Sequence, residues 1–234
     1  NNVTIDNNST SNFTITIASG TTLTVSGTLT LDNSNTGAST INTGTIAAQG
    51  AITVADFLNY GATAGTNASG KILINGTGNQ TFTGSAIQTS GNLPDIEIDK
   101  SSGTLTLSGT LRTSSDWTWT AGTVAGGTST VVFRPPTAGT HTITGSHTLN
   151  NVTIDTNSVS NLTLTIASGT TLTVSGTLLM DNTSTGTITI NTGTIAAQGN
   201  VTTDSTVATA GSAAVQLTGG NNQTITIVNV PSGT

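Results

Sequence analysis

The sequence predicts an all-β chain, a parallel β-solenoid (β-helix) built of tandem repeats. Three observations predict it. Aliphatic residues alternate with Thr, Ser and Asn in short runs, such as Phe13-Thr14-Ile15-Thr16-Ile17 and Gln223-Thr224-Ile225-Thr226-Ile227. Ser-Gly, Thr-Gly, Asp-Asn and Gly-Gly pairs, which favour turns, separate the runs. Residues 1–50 recur as residues 150–199, with forty of the fifty positions identical.

Alternation with period 2 puts aliphatic side chains on one face of a strand and threonines on the other. Thr is β-branched, so it favours strands while staying polar. No segment has convincing helical periodicity, and AGTNASG at 64–70 reads as a loop. Short strands alone would also permit a sandwich or a barrel. The repeats favour a solenoid with coils of roughly 20–30 residues stacked about 4.8 Å apart. Aromatic residues make up only 3% of the chain, which suits a thin core with little room for rings.

The duplication sets the module boundaries. NNVTID at Asn1–Asp6 returns at Asn150–Asp155, and INTGTIAAQG at Ile41–Gly50 returns at Ile190–Gly199. A more divergent copy begins with PDIEID at Pro94–Asp99 and continues with GTLTLSGTL at Gly103–Leu111. A second marker recurs as NQTFTGS at Asn79–Ser85, HTITGSHTLNNVTID at His141–Asp155 and NQTITI at Asn222–Ile227. The chain therefore divides into modules 1–93, 94–149 and 150–234, the third duplicating the first, together one continuous solenoid. Unequal module lengths fit an architecture in which whole coils are gained or lost, because each coil touches only its neighbours. Joining Thr234 to Asn1 would give another well-formed module junction, so one unit of a longer array is expected. With no initiating Met and no visible signal peptide, a mature segment or fragment is expected.

Composition removes several function classes. Charged residues are 6% of the chain, against about 25% in an average soluble domain. Net charge is −6, and the four cations, Lys71, Lys100, Arg112 and Arg134, are scattered in sequence. They cannot form a phosphate-neutralising stripe, so no nucleic-acid partner is expected. No apolar run reaches 18 residues, so no helical membrane span is expected. There is no Cys, hence no disulfide or thiolate metal site.

The strings WTAGT, STVVF, HTITG and LNNVTID, at Trp119–Thr123, Ser129–Phe133, His141–Gly145 and Leu149–Asp155, carry a family resemblance. They resemble the Thr/Gly/Asn-rich repeats of large bacterial surface proteins, the filamentous-haemagglutinin-like β-solenoid adhesins. The likeness is most specific over residues 94–155, since modules one and three lack the tryptophan signature. It implies a secreted structural or adhesive role, at the cell surface or outside the cell, and carries no catalytic residues.

Candidate sites are few. Asp95, Glu97 and Asp99 alternate along one strand and could offer oxygen ligands to Ca²⁺; the competing reading is a solvated outer face. Trp117 and Trp119 share a face and could stack on sugar rings; the competing reading is burial in a wider coil. The Thr-x-Thr pairs at Thr14/Thr16, Thr22/Thr24, Thr104/Thr106, Thr163/Thr165 and Thr171/Thr173 could present an ice-binding array, or simply reflect strand propensity. His141 takes the place of Gln80 and Gln223 in the marker, and His147 has no evident partner. No Ser/His/Asp arrangement or metal-binding cluster stands out, so neither an enzyme nor a cofactor is expected.

The expected function is a structural subunit or repeat unit of an extracellular bacterial fibre. An open solenoid ends in unpaired strand edges, which natural proteins either cap or use for association. No capping helix or charged edge strand is evident at either end. The expected polymer interface is Val3, Ile5, Phe13, Ile15 and Ile17 of one copy against Val215, Leu217, Ile225, Ile227 and Val230 of the next, head to tail. A glycan- or surface-binding adhesin module is the first alternative, and an ice-binding solenoid the second.

Overall fold

A computed structural model describes residues 1–34, 37, 39–55, 70–87, 91–134, 139–156, 161–181, 186–204 and 211–228. These residues form 22 β-strands and no helix. Strand pairing is parallel, as a solenoid requires. Residues 64–69 of the sequence-predicted loop lie outside the described residues.

Each coil contributes one strand segment to each of three faces, visited in a fixed order. The first face stacks Val3 on Leu29, Leu29 on Ile52, Ile52 on Phe82 and Phe82 on Leu107. Successive partners in that column are 26, 23, 30 and 25 residues apart, within the coil size read from the sequence. A second face stacks Leu23, Ile46, Ile72, Ile96, Trp117, Ile143 and Ile166. A third stacks Leu111, Val131, Val152, Leu178, Val201 and Ile225. Apart from Leu23 and Ile225 at the ends, the inward side chains of these columns form one continuous apolar core. Strand Asp95–Thr113 bends round the corners and serves all three faces.

The sheets run unbroken across the module boundaries. Ile72 pairs with Ile96 across the first, and Val131 with Val152 across the second. The two near-identical copies nevertheless occupy different faces. Val3 opens the first column, whereas its counterpart Val152 lies in the third. The intervening chain supplies a number of strand segments that is not a multiple of three, so the later copy is set round the axis by one face. All three faces accept the same sequence because each asks only for an inward aliphatic and an outward small polar residue.

Corner residues hold the coils in register where the strand ladders end. Asn2 Oδ1 accepts the Thr28 N–H at 2.8 Å, and its repeat counterpart Asn151 Oδ1 accepts the Thr177 N–H at 2.9 Å. Asn79 and Asn200 do the same for Thr104 and Thr224. The marker glutamines are clamps. Gln80 Nε2 donates to the carbonyls of Ala48 and Gly50 at 3.0 and 2.7 Å, and Gln223 Nε2 to those of Ala197 and Gly199 at 2.9 and 2.7 Å. The Ala48 and Ala197 carbonyls also accept the backbone N–H of Asn75 and Thr218, so each glutamine adds a second donor to a carbonyl with two lone pairs. The richness in Asn and Gln thus has a structural cause.

Candidate functional site

The apolar columns end abruptly at both poles. Among the described residues the large exposed hydrophobics are Phe13, Leu23, Ile87, Val215, Leu217, Ile225, Ile227 and Val228. All but Ile87 belong to the first or last coil. Repeat counterparts isolate the cause. Phe13 and Leu23 are each 40% exposed, whereas Leu162 and Leu172, the same positions in the third module, are fully buried. Ile225 of the last marker is 55% exposed, whereas Phe82 of the first marker is fully buried. The interior residues have a coil on both sides; the end residues have one on a single side.

The residues expected at the polymer interface divide accordingly. Phe13 is exposed, Val3, Ile15 and Ile17 are half-buried, and Ile5 is buried within the core. Val215, Leu217, Ile225 and Ile227 are exposed, and Val230 lies outside the described residues. Leu23 and Val228 join them, although sequence reasoning did not select them. The signal for Leu23 was its place as the counterpart of Leu172, legible once the faces are known.

The two ends also match in place. Strand Ala214–Leu217 lies on the same face as strand Val3–Asp6, joined through successive neighbours along the solenoid. In the order of the coil, strand Ile225–Val228 follows Ala214–Leu217 just as strand Phe13–Thr16 follows Val3–Asp6. The exposed edge of each terminal coil is a row of parallel-strand donors and acceptors.

The tryptophans do not form an exposed platform. Trp117 is fully buried, meets Phe133 edge-on at 6.2 Å and donates its indole N–H to His147 Nε2 at 3.1 Å. Half-buried Trp119 donates to the Gly122 carbonyl at 3.0 Å and stacks on the His147 ring at 6.4 Å. The two indoles and the imidazole pack together inside the solenoid. Burial pushes the His147 pKa down, against a smaller opposing effect of its hydrogen bond with Gly145. Burial also lowers the His141 pKa, partly offset by Asp116.

Asp95, Glu97 and Asp99 do not converge into a calcium site. Among the described residues no three His, Asp or Glu side chains come together to hold a metal. Alternation along an extended strand spreads the carboxylates out. Glu97 is held by Lys71 at 2.6 Å, and Asp95 Oδ1 accepts the Asp116 N–H at 3.1 Å. Burial raises the Asp95 pKa.

The outward threonines form one column on the first face, Thr4, Thr30, Thr53 and Thr83, continued by Ser108. Its neighbour column begins with Asp6 and Asp32. On the second face the column from Thr24 passes to Ala47, Leu73 and Glu97. Further along the second face Thr140, Thr163 and Thr189 stack beside Thr142 and Thr165, and the latter column passes to Asn191 in the next coil.

No helix among the described residues is long and apolar enough to cross a membrane. Comparison with protein-family models, with curated proteins and with solved structures gives no match.

Proposed function

We propose that this β-solenoid is a structural repeat unit of an extracellular bacterial surface fibre, of the filamentous-haemagglutinin-like kind, which stacks end to end on copies of itself. The observation that supports this reading is the contrast between repeat counterparts: Phe13 and Leu23 are 40% exposed where Leu162 and Leu172 are fully covered. Each end presents the surface that an inner coil presents to its neighbour.

Stacking would place Val3–Asp6 of one copy on Ala214–Leu217 of the next, and Phe13–Thr16 on Ile225–Val228, with faces aligned and no rotation. Parallel backbone hydrogen bonds would continue across the junction. Each exposed Ile, Leu, Val or Phe would recover burial worth about 1.5–3 kcal/mol before the cost of association. Few ion pairs would be involved, so salt would weaken the fibre little.

Sedimentation velocity with negative-stain electron microscopy tests the reading. The expected result is filaments one solenoid wide, growing with concentration and persisting in high salt. A chain that stays monomeric at high concentration would refute it. Adhesion to a glycan or surface is the second reading; the tryptophan pair gives it no platform.

A further inference from the structure

The last coil repeats an inner coil whose cover the molecule itself supplies. GTGNQTFT at Gly76–Thr83 returns as GGNNQTIT at Gly219–Thr226, and strand Lys71–Ile74 returns as Ala214–Leu217. Both copies rest on the same sequence, the TIAA of Thr45–Ala48 and of 194–197, with Ile72 on Ile46 and Val215 on Ile195. Gln80 and Gln223 clamp that lower coil in the same way. The match holds as far as Thr226; beyond it Ile227 stands where the inner strand has Gly84.

Inside the molecule, residues 95–108 cover the inner copy. Ile96 and Ile98 stack on Ile72 and Ile74, and Leu107 on Phe82. Between these two strand segments Lys100 reaches the coil below. Its ammonium donates to the carbonyls of Gly76 and Gly78 and to Gln80 Oε1, the last two at 3.0 and 2.6 Å. Asn79 Oδ1 accepts the Thr104 N–H at 3.0 Å.

The C-terminal pole offers the same parts to solvent. Val215, Leu217 and Ile225 are exposed, whereas Ile72, Ile74 and Phe82 are fully buried. The ammonium acceptors recur as the carbonyls of Gly219 and Asn221 and as Gln223 Oε1. Gln223 Oε1 accepts the Gly219 N–H at 3.0 Å and has a second lone pair. Asn222 repeats Asn79 and is exposed. The first coil of the chain lacks a matching cation. NNVTIDN at Asn1–Asn7 aligns with PDIEIDK at Pro94–Lys100, which sets Asn7 at the place of Lys100. The Asn7 amide is committed to its own turn: Nδ2 donates to the Ser11 carbonyl at 3.1 Å, and Oδ1 accepts the Ser9 N–H at 3.0 Å.

We propose that the C-terminal pole is a docking site for a second solenoid chain whose exposed coil carries a corner lysine, in the pattern of residues 94–108. Aliphatic side chains of that coil cover Val215, Leu217 and Ile225. Its lysine enters the three acceptors, and a backbone N–H meets Asn222. Hydrogen bonds from a charged donor are about twice as strong as neutral ones, so this coil binds more tightly than the chain's own first coil. Such docking shares with the proposed fibre the premise of an open last coil, and it does not require copies of the chain to stack.

Fluorescence anisotropy with a labelled peptide of residues 94–108 tests it, on the 234-residue chain bearing Phe13→Lys so that its first coil does not compete. The peptide should bind saturably. Its Lys100→Met form and a peptide of residues 1–16 should each bind at least about tenfold more weakly, a loss of about 1.4 kcal/mol. Ile225→Lys in the chain should abolish binding while the melting temperature holds. Absence of binding to the folded chain, equal binding by either comparison peptide, or binding that survives Ile225→Lys would each overturn the proposal. Sedimentation of the unsubstituted chain reports on the fibre separately. Peptide binding by a chain that stays monomeric would refute the fibre and leave the docking site standing, whereas filaments without peptide binding would do the reverse.

Discussion

Trp117 donates its indole N–H to His147 Nε2 across one coil of the core, at 3.1 Å. The other ring nitrogen, His147 Nδ1, lies 2.8 Å from the Gly145 carbonyl, so the proton sits on Nδ1 and the imidazole is neutral. Protonating Nε2 would set a donor against the indole donor. Burial lowers the His147 pKa below the usual 6.5. The unfolded chain therefore binds more protons once pH falls below about 6.5, and stability falls with it. Each proton taken up on unfolding costs at most about 1.4 kcal/mol per pH unit. Burial lowers the His141 pKa too and adds a slope of the same sign, whereas the raised Asp95 pKa adds the opposite one. His147→Gln keeps an acceptor for the indole and removes the titration. Its melting temperature should drop less between pH 7 and pH 5 than that of the parent; equal slopes would refute the assignment.

Substitutions at the ends should separate assembly from folding. Ile227 is 66% exposed, on the last of the described strands. Ile227→Lys or Ile225→Lys should leave the melting temperature of the monomer nearly unchanged, within about 0.5 kcal/mol. Either should shift sedimentation from filaments to monomer, because a lysine on a strand edge opposes further pairing. Leu162→Lys, inside the solenoid, should prevent folding.

Glycine has a different role at two recurring corners. A Cβ on Gly50 would lie 2.2 Å from the Gly27 carbonyl oxygen, and one on Gly199 equally close to the Gly176 oxygen. Gly50→Ala and Gly199→Ala should each cost about 1–3 kcal/mol in urea unfolding, through overpacking against backbone. Gly20 and Gly169 share φ +76° with nothing within 4 Å. Alanine there should cost only about 1–2 kcal/mol, from the left-handed backbone alone. A cost at Gly50 no greater than at Gly20 would argue against close coil stacking at that corner.

Lys100 is buried, and its ammonium donates to the carbonyls of Gly76 and Gly78 and to Gln80 Oε1, the last at 2.6 Å. Gln80 in turn clamps Ala48 and Gly50. Lys100→Met keeps the stem and leaves these acceptors unsatisfied. It should destabilise by about 1–3 kcal/mol or more, measured by urea unfolding at neutral pH. A neutral effect would mean that water replaces the ammonium there.

The repeats made the fold legible because each coil asks so little of its sequence. Phe13-Thr14-Ile15-Thr16 already states which residues point inward, and forty identities between residues 1–50 and 150–199 state that the units stack. The apolar ends were legible for the same reason. The aromatic cluster was not, since Trp117 and Trp119 alternate as an exposed pair would. Only His147, thirty residues further on, makes them an interior cluster. The grouping of Arg112, Arg134, Asp155 and Asp181 was illegible too, because these residues are neighbours only at coil spacing.

Sequence by itself determined the strand periodicity, the turn chemistry and the aliphatic character of the core. These are local properties, fixed by alternation and by residue type. The tertiary structure alone decided which face each copy occupies, setting Val152 in a different column from Val3. It also decided which corner residues meet across coils. Both depend on the summed length of every intervening coil, and no local pattern encodes a sum.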